Sequence, residues 1–182
     1  LADGFMYGTS SDCNQDDHGT PVLRIPNVKA GFVDFTDLKY ANFSLKDEER
    51  YLLRENDILV VRTNGNPQLV GKSALFTGQR KCMFASYLIK IQPRPNVVPA
   101  FLNIVMNAPC TREMLTLSAR TSAGNYNMNC EGLGGTYVIL PPLAEQEEIL
   151  RHLEVRLETF SQLQAEAERA IELLQERRTA LI

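Results

Sequence analysis

The chain has 182 residues, 44% of them hydrophobic and 23% charged, a balance that fits a soluble globular protein and excludes a disordered or bilayer-embedded one. No stretch of eighteen apolar residues is present, and no charged-then-apolar leader opens the chain, so neither a membrane span nor a signal peptide is expected and the predicted location is cytoplasmic. The net charge of -3 argues at first sight against a nucleic-acid partner.

That average conceals a split. Residues 141–182 carry five Arg and nine Glu, whereas residues 1–140 carry fourteen basic and thirteen acidic side chains. Between 58 and 130 stand eight cations (Arg62, Lys72, Arg80, Lys81, Lys90, Arg94, Arg112, Arg120) and a single carboxylate, Glu113. A cationic stretch joined to an acidic one predicts a surface facing a polyanion. The four cysteines (Cys13, Cys82, Cys110, Cys130) form no Cys-x-x-Cys pair, which points to reduced thiols rather than to disulfides or a zinc site. The length suits one compact domain with an extended element, and a start on Leu1 rather than Met suggests a piece of a longer protein.

In chain order, residues 1–20 read as a Gly-, Asn- and Asp-rich loop. Pro21–Val28 predicts a short strand closed by a Pro-Asn turn, and Gly31–Phe35 a second strand. Lys46–Leu53 reads as a helix or turn. The β-branched run Ile58–Arg62 predicts a buried strand.

The segment Thr63 to Ser73 comes close to a phosphate-binding P-loop, but five residues separate Gly65 from Gly71 where the motif needs four. The next residues, Ala74 to Gly78, form a short apolar run and no helix start. The better reading is strand, polar turn and returning strand, a loop that presents Arg62, Thr63, Asn64, Asn66 and Lys72 at a sheet edge.

Phe84–Ile91 alternates as another strand. Pro99–Met106 begins a helix with proline in its first turn, Pro109 breaks it, and Thr111–Ala119 is again helical. Arg120 to Asn129 is a long polar loop without a carboxylate, holding Arg120, Thr121, Ser122, Asn125, Tyr126 and Asn127. Arg pairs with guanine and Asn with adenine through two hydrogen bonds each, so this mixture has base-reading chemistry; asparagines folded back onto their own backbone in a turn are the plainer alternative. Thr136–Leu140 predicts a last strand.

From Ala144 to Ile182 there is neither Gly nor Pro, and strong helix formers dominate. Heptad spacing puts Leu150, Leu157, Gln164, Ile171 and Arg178 at one core position and Leu153, Phe160, Ala167, Leu174 and Leu181 at the other. This is the seam of a coiled-coil helix. A lone amphipathic rod cannot bury its own stripe, and no upstream segment has matching heptads, so a partner helix is expected.

The junction Leu140-Pro141-Pro142-Leu143-Ala144-Glu145-Gln146, followed by this helix, resembles the one in specificity subunits of type I restriction-modification systems. Val22–Val28, Gly31–Asp34, Asp57–Gly65, Val70–Ala74 and the Leu173–Arg178 tail come in the family's order, so the resemblance covers nearly the whole chain. It implies an α+β architecture: a mixed α/β target recognition domain at 1–140, then a long carboxyl-terminal coiled-coil helix at 141–182. It further implies sequence-specific reading of half of a split duplex site and an antiparallel helix pair that spaces the half-sites. Methyltransferase subunits dock on those helices, and a restriction subunit joins through the complex. Specificity subunits catalyse nothing and need no cofactor.

The residues agree on catalysis. There is no Phe-x-Gly-x-Gly loop, and neither Asn66-Pro67-Gln68-Leu69 nor Leu140-Pro141-Pro142-Leu143 completes an adenine methyltransferase motif. A specificity subunit usually has two domains and two helices; one of each here implies a half-length unit, and the open seam predicts a homodimer. Expected phosphate contacts are Lys72, Arg80, Lys81 and Arg94, and the expected base readers lie in the two polar loops. The competing reading is an assembly scaffold whose rod docks a protein partner without reading DNA.

Overall fold

The computed structural model describes residues 1–78, 80–122 and 124–180, without the side chains of Ser122 and Ala180. Leu181, expected on the helical seam, lies outside the described residues. The elements in order are β1 (Ala2–Tyr7), β2 (Thr20–Leu23), a 3-10 turn (Ile25–Asn27), β3 (Gly31–Phe32), β4 (Lys39–Ala41), α1 (Leu45–Tyr51), β5 (Ile58–Val61) and β6 (Thr63–Asn64). A second 3-10 turn (Pro67–Leu69) leads to β7 (Ser73–Leu75), β8 (Met83–Phe84), β9 (Leu88–Pro93), α2 (Pro99–Asn107), α3 (Pro109–Ser118), β10 (Arg120–Ser122), β11 (Asn125–Asn127), α4 (Cys130–Gly134) and α5 (Leu143–Ala180). The fold is α+β, as expected.

The central sheet has the order β1-β9-β5-β7-β3. Its middle strand, Ile58-Leu59-Val60-Val61, is buried on both faces, which is why it reads as an unbroken apolar run. Because side chains alternate along a strand, Leu59 and Val61 enter one core with Leu23, Phe76, Phe84 and Leu88. Ile58 and Val60 enter the other with Ile89, Ile91, Leu102, Met106 and Leu115. A full burial of each such side chain contributes about 1.5–3 kcal/mol, so β5 is the strand that both layers share. A second sheet, β4-β2-β8, and a third, β10-β11-β6, flank it.

Helix α2 starts at Pro99 and stops at Asn107, one residue short of Ala108 and the next proline, since a residue before proline is pushed out of the helical region. Pro109 then opens α3 rather than merely ending α2. The α2–sheet contact is polar at its centre. Ser73 Oγ donates to Asn103 Oδ1 at 3.0 Å, Asn103 Nδ2 to the Gly31 carbonyl at 2.7 Å, and Asn107 Nδ2 to the Ser73 carbonyl at 3.0 Å. These asparagines satisfy backbone groups of β3 and β7 that a purely apolar helix would leave unpaired.

Several strand expectations need correction. Residues 1–20, read as a loop, contain β1, which pairs antiparallel with β9 at the edge of the central sheet. The strands read at Pro21–Val28 and Gly31–Phe35 are shorter, Thr20–Leu23 and Gly31–Phe32, the first ended by the 3-10 turn that holds Pro26. Phe84–Ile91 is not continuous: β8 ends at Phe84 and β9 starts at Leu88, with a turn whose Leu88 amide donates to the Ala85 carbonyl at 2.9 Å. Thr136–Leu140 is no strand at all. Val138 and Leu140 pack on the second core while Tyr137 and Ile139 are 89% and 87% exposed. The alternation is real, but the segment has no ladder partner among the described residues. The Arg120–Asn129 segment, read as a loop, contains the β10–β11 hairpin.

Helix α5 runs for 38 residues, about 57 Å at 1.5 Å per residue. Its first turns pack on α2, and Leu150 and Leu153 are half-buried. Beyond them the seam is open: Leu157, Phe160, Ile171 and Leu174 are all more than half exposed, and Ala167 is exposed too. Among the described residues no helix is long and apolar enough to cross a membrane.

Candidate nucleic-acid interface

The two polar segments singled out in the sequence, sixty residues apart, meet in one sheet. Strand β6 pairs antiparallel with β11, Asn64 opposite Tyr126 and Thr63 opposite Asn127. Strand β11 pairs with β10, placing Arg120 opposite Asn127, Thr121 opposite Tyr126 and Ser122 opposite Asn125. The Met128 amide donates to the Arg62 carbonyl at 2.8 Å and continues the join past β6. Met128 itself is fully buried in the second core, so the sheet is anchored from beneath.

Residues directly opposite each other share a face of a sheet. Tyr126 packs against the core, and Asn64 and Thr121 share its face by register. Arg120, Asn127, Thr63 and Asn125 take the other. On that outward face Arg120 and Asn125 are exposed and Thr63 and Asn127 half-buried; Thr121, on the other face at the sheet edge, is exposed as well. No ion pair engages Arg120 among the described residues.

Several asparagines are occupied by the turns they build. Asn64 Oδ1 accepts from the Asn66 amide at 2.9 Å, Asn66 Oδ1 from the Gln68 amide at 2.9 Å, and Asn127 Nδ2 donates to the Asn125 carbonyl at 3.2 Å. For these three, the self-bonded turn that competed with base reading in the sequence is present in the free chain.

Arg62 is held inward. Its guanidinium lies 4.5 Å from the Tyr7 ring centroid, a cation–π distance, and Nη1 donates to the Ser86 carbonyl at 3.3 Å. Its Nε is buried without a protein partner. The Tyr7 hydroxyl accepts from the Cys130 amide at 3.0 Å, and burial, followed by the Cys130 thiol, raises the Tyr7 pKa.

The loop between β6 and β7 lies against α3. Arg112 donates through Nη1 to the Val70 carbonyl and through Nη2 to the Gln68 carbonyl, and burial lowers its pKa. Gly71 has φ +79°, and a Cβ there would sit 2.8 Å from both Arg112 Nη1 and Leu115 Cβ. Only glycine permits this approach, which accounts for the Val-Gly-Lys-Ser spelling without a nucleotide.

The expected phosphate contacts fall into two places. Lys72 is half-buried at the Arg62 end of β5, where its carbonyl accepts from the Val61 amide at 2.9 Å. Arg80, Lys81 and Arg94 are at the other end. Leu88 is level with Val61 and Pro93 with Ala2, so Arg94 stands roughly 20 Å from the Arg62 end at about 3.3 Å per residue. Lys81 donates to Glu48 at 2.8 Å and Arg94 to Asp3 at 3.1 Å. Arg80 is exposed, with no ion pair among the described residues. Lys90, counted within the cationic stretch, is buried 3.6 Å from Asp57. The carboxylates that neutralise this stretch lie outside it in sequence.

Sequence reasoning missed Tyr7, the platform beneath Arg62, and Gln146. The latter is fully buried: Oε1 accepts from the Val98 amide at 2.8 Å, and Nε2 donates to the carbonyls of Pro141 at 2.9 Å and Asn96 at 3.2 Å. A glutamine inside a run of helix formers gives no local sign that it faces inward.

No protein-family model matches the chain. The specificity subunit of the type I restriction enzyme EcoKI from Escherichia coli K12 is 30% identical over 149 residues, 81% of this chain and 32% of that protein. The StySPI specificity subunit of Salmonella potsdam is 30% identical over 135 residues, 73% of this chain and 29% of that protein. The HsdS subunit of Thermoanaerobacter tengcongensis superposes with a TM-score of 0.60 at 19% identity, over 86% of this chain and 35% of that one. A chain of a type I R-M system, solved for its complex assembly and conformational transition, gives 0.66 at 19% identity, over 94% and 40%. By sequence the chain is homologous to part of the specificity subunits of type I restriction enzymes. It spans about a third of the length of the curated relatives it matches.

Proposed function

We propose that the chain reads one half of a split duplex DNA sequence for a type I restriction-modification complex, and is itself no catalyst. Residues 1–140 are the target recognition unit and 141–182 the spacer helix. The outward face of the β10–β11–β6 sheet is presented to base edges, Arg120 and Asn125 first. Lys72 and Arg80 contact phosphates. Lys81 and Arg94, ion-paired in the free chain, add to the general field. Methyltransferase subunits dock on α5, the restriction subunit joins through them, and the open seam pairs with a second helix, in a homodimer of this chain or in a longer subunit. The setting is the cytoplasm, where the substrate DNA lies.

The observation that supports this reading most is the convergence of two polar, carboxylate-free segments on one exposed sheet. Phosphate positioning and base reading are different tasks, and the chain supplies cations beside that sheet for the first and a mixed Arg/Asn face for the second. A salt titration of binding to random duplex tests it. Affinity falls steeply as salt rises if phosphates are contacted. A scaffold that only docks protein through its rod shows no duplex binding at any salt.

A further inference from the structure

One cationic cleft beside the reading sheet sets next to Lys72 a second lysine that this scheme does not use. It is a cavity of about 330 Å³ between the Ile25–Asn27 turn and the connection from β5 to β7, floored by Val28 and Leu69 and edged by Lys29, Asn64 and Lys72. Lys29 pairs with Asp34 at 3.4 Å yet keeps 42% of its side chain exposed. Lys72 has no carboxylate partner among the described residues. Burial first, then the charges of Lys29 and Arg112, hold its pKa below the usual lysine range. Arg112 has two of its nitrogens on the Gln68 and Val70 carbonyls, so it brings charge more than free donors. Lys29 and Lys72 thus edge one opening next to Asn64 of β6, with the Arg112 charge near enough to act on Lys72 and Asp34 as the partner of Lys29. Like charges held together in a half-buried cleft are mutually destabilising, and an anion seated between them relieves the repulsion.

We infer that Lys29 and Lys72 close on a backbone phosphate of the duplex at the flank of β6, fixing the register in which the neighbouring sheet meets the bases. This rests on the DNA-reading proposal above. It adds Lys29, which lies outside the cationic stretch of the sequence and next to an acidic segment.

The test uses the full chain and a random-sequence duplex, with anisotropy measured across a salt series for wild type, Lys29→Gln, Lys72→Gln, Lys29→Arg and Lys46→Gln. Each glutamine variant in the cleft makes the slope of log affinity against log salt shallower, by no more than about 0.9, since both lysines serve one phosphate. Lys29→Arg keeps the wild-type slope, and so does Lys46→Gln on α1, an exposed lysine away from the cleft. The melting temperature of Lys72→Gln without DNA does not fall, because a repulsive charge has been removed; that of Lys29→Gln, which also loses the exposed pair with Asp34, changes little. Wild-type slopes in both cleft variants, with wild type binding normally, overturn the inference and leave the DNA reading standing. Saturable stabilisation by inorganic phosphate together with unchanged slopes assigns the cleft to a free anion and overturns it as well. No duplex binding by wild type at any salt overturns both.

Discussion

The Gln146 carboxamide accepts a hydrogen bond from the Val98 amide at 2.8 Å, and this contact joins the start of α5 to the start of α2. Val98 is the residue before Pro99, where the helix has no side-chain cap of its own. The same carboxamide holds the carbonyls of Asn96 and Pro141. One buried side chain thus fixes where the rod leaves the α+β fold.

Replacing Gln146 by Leu removes all three bonds and leaves a Val98 amide and two carbonyls without their partner. Each buried group left unpaired costs about 1–3 kcal/mol. The expected loss in urea unfolding is about 2–4 kcal/mol, allowing for water reaching one carbonyl. A loss within experimental error would show that the rod is held by apolar packing alone.

Lys90 and Asp57 form a buried ion pair at 3.6 Å. Lys90 Nζ also donates to the Leu52 carbonyl at 3.3 Å, and the Arg54 amide donates to Asp57 at 2.8 Å. Burial raises the Asp57 pKa, opposed by the Arg54 bond and the Lys90 charge. Lys90→Met strands a carboxylate and is expected to cost about 3–5 kcal/mol. The double variant Lys90→Met/Asp57→Asn recovers much of that. A double variant as unstable as the single one would contradict the pairing.

Glu48 ties α1 to two distant segments, accepting from Lys81 at 2.8 Å and from Thr20 at 2.8 Å. The Lys81 hydrogen bond first, then that of Thr20, lowers its pKa. A carboxylate with a depressed folded pKa contributes stability that is complete above its unfolded value, about 4.3, and is lost as pH falls through the folded value. Lys81→Gln is therefore expected to flatten the acid limb of a stability–pH curve below about pH 4.5 while leaving its shape near neutrality alone. Superimposable acid limbs would contradict the contact.

Cys82 is fully buried and its thiol is pushed up to about 11, mainly by burial. At about pH 8 it is expected to resist alkylation in the folded protein, while the exposed Cys110 reacts. Peptide mapping after a short iodoacetamide pulse reads this directly. Early modification of Cys82 would place it outside the core.

Beyond Leu153 the seam of α5 has no cover among the described residues, with Leu157 62% and Phe160 66% exposed. Changing both to Glu is expected to convert any self-associated species to monomer in sedimentation and to leave the urea midpoint of the remaining fold unchanged. A wild-type chain that is monomeric at all concentrations would reserve the seam for a helix of another chain.

Much of this was legible locally. The Gly- and Pro-free heptads predict α5, and the run Ile58–Val61 predicts the central strand, because each is a periodic pattern in one short window. The polar segments around Asn64 and Arg120 were recognisable by chemistry, but their meeting in one sheet was not. Strands of two or three polar residues have no apolar alternation to reveal them. Thr136–Leu140 shows the reverse, a correct alternation without a neighbour to pair with. The charge count failed for a different reason. Lys81 and Arg94 are neutralised by Glu48 and Asp3, 33 and 91 residues away in sequence, and a local tally of carboxylates does not see partners that folding delivers. Lys29 was overlooked for the same reason, since its cleft exists only once the Ile25–Asn27 turn lies beside Lys72.

The central claim is that the outward face of the β10–β11–β6 sheet distinguishes DNA sequences, and Arg120 stands exposed on it opposite Asn127. The most direct measurement selects a preferred duplex from a randomised library with wild type, then compares preferred with random duplex for Arg120→Ala. A bidentate base contact predicts a loss of about 1–3 kcal/mol on the preferred site, with random-duplex affinity changed far less, so that the ratio falls by roughly fivefold to a hundredfold. A ratio equal to wild type would mean that the sheet does not read bases.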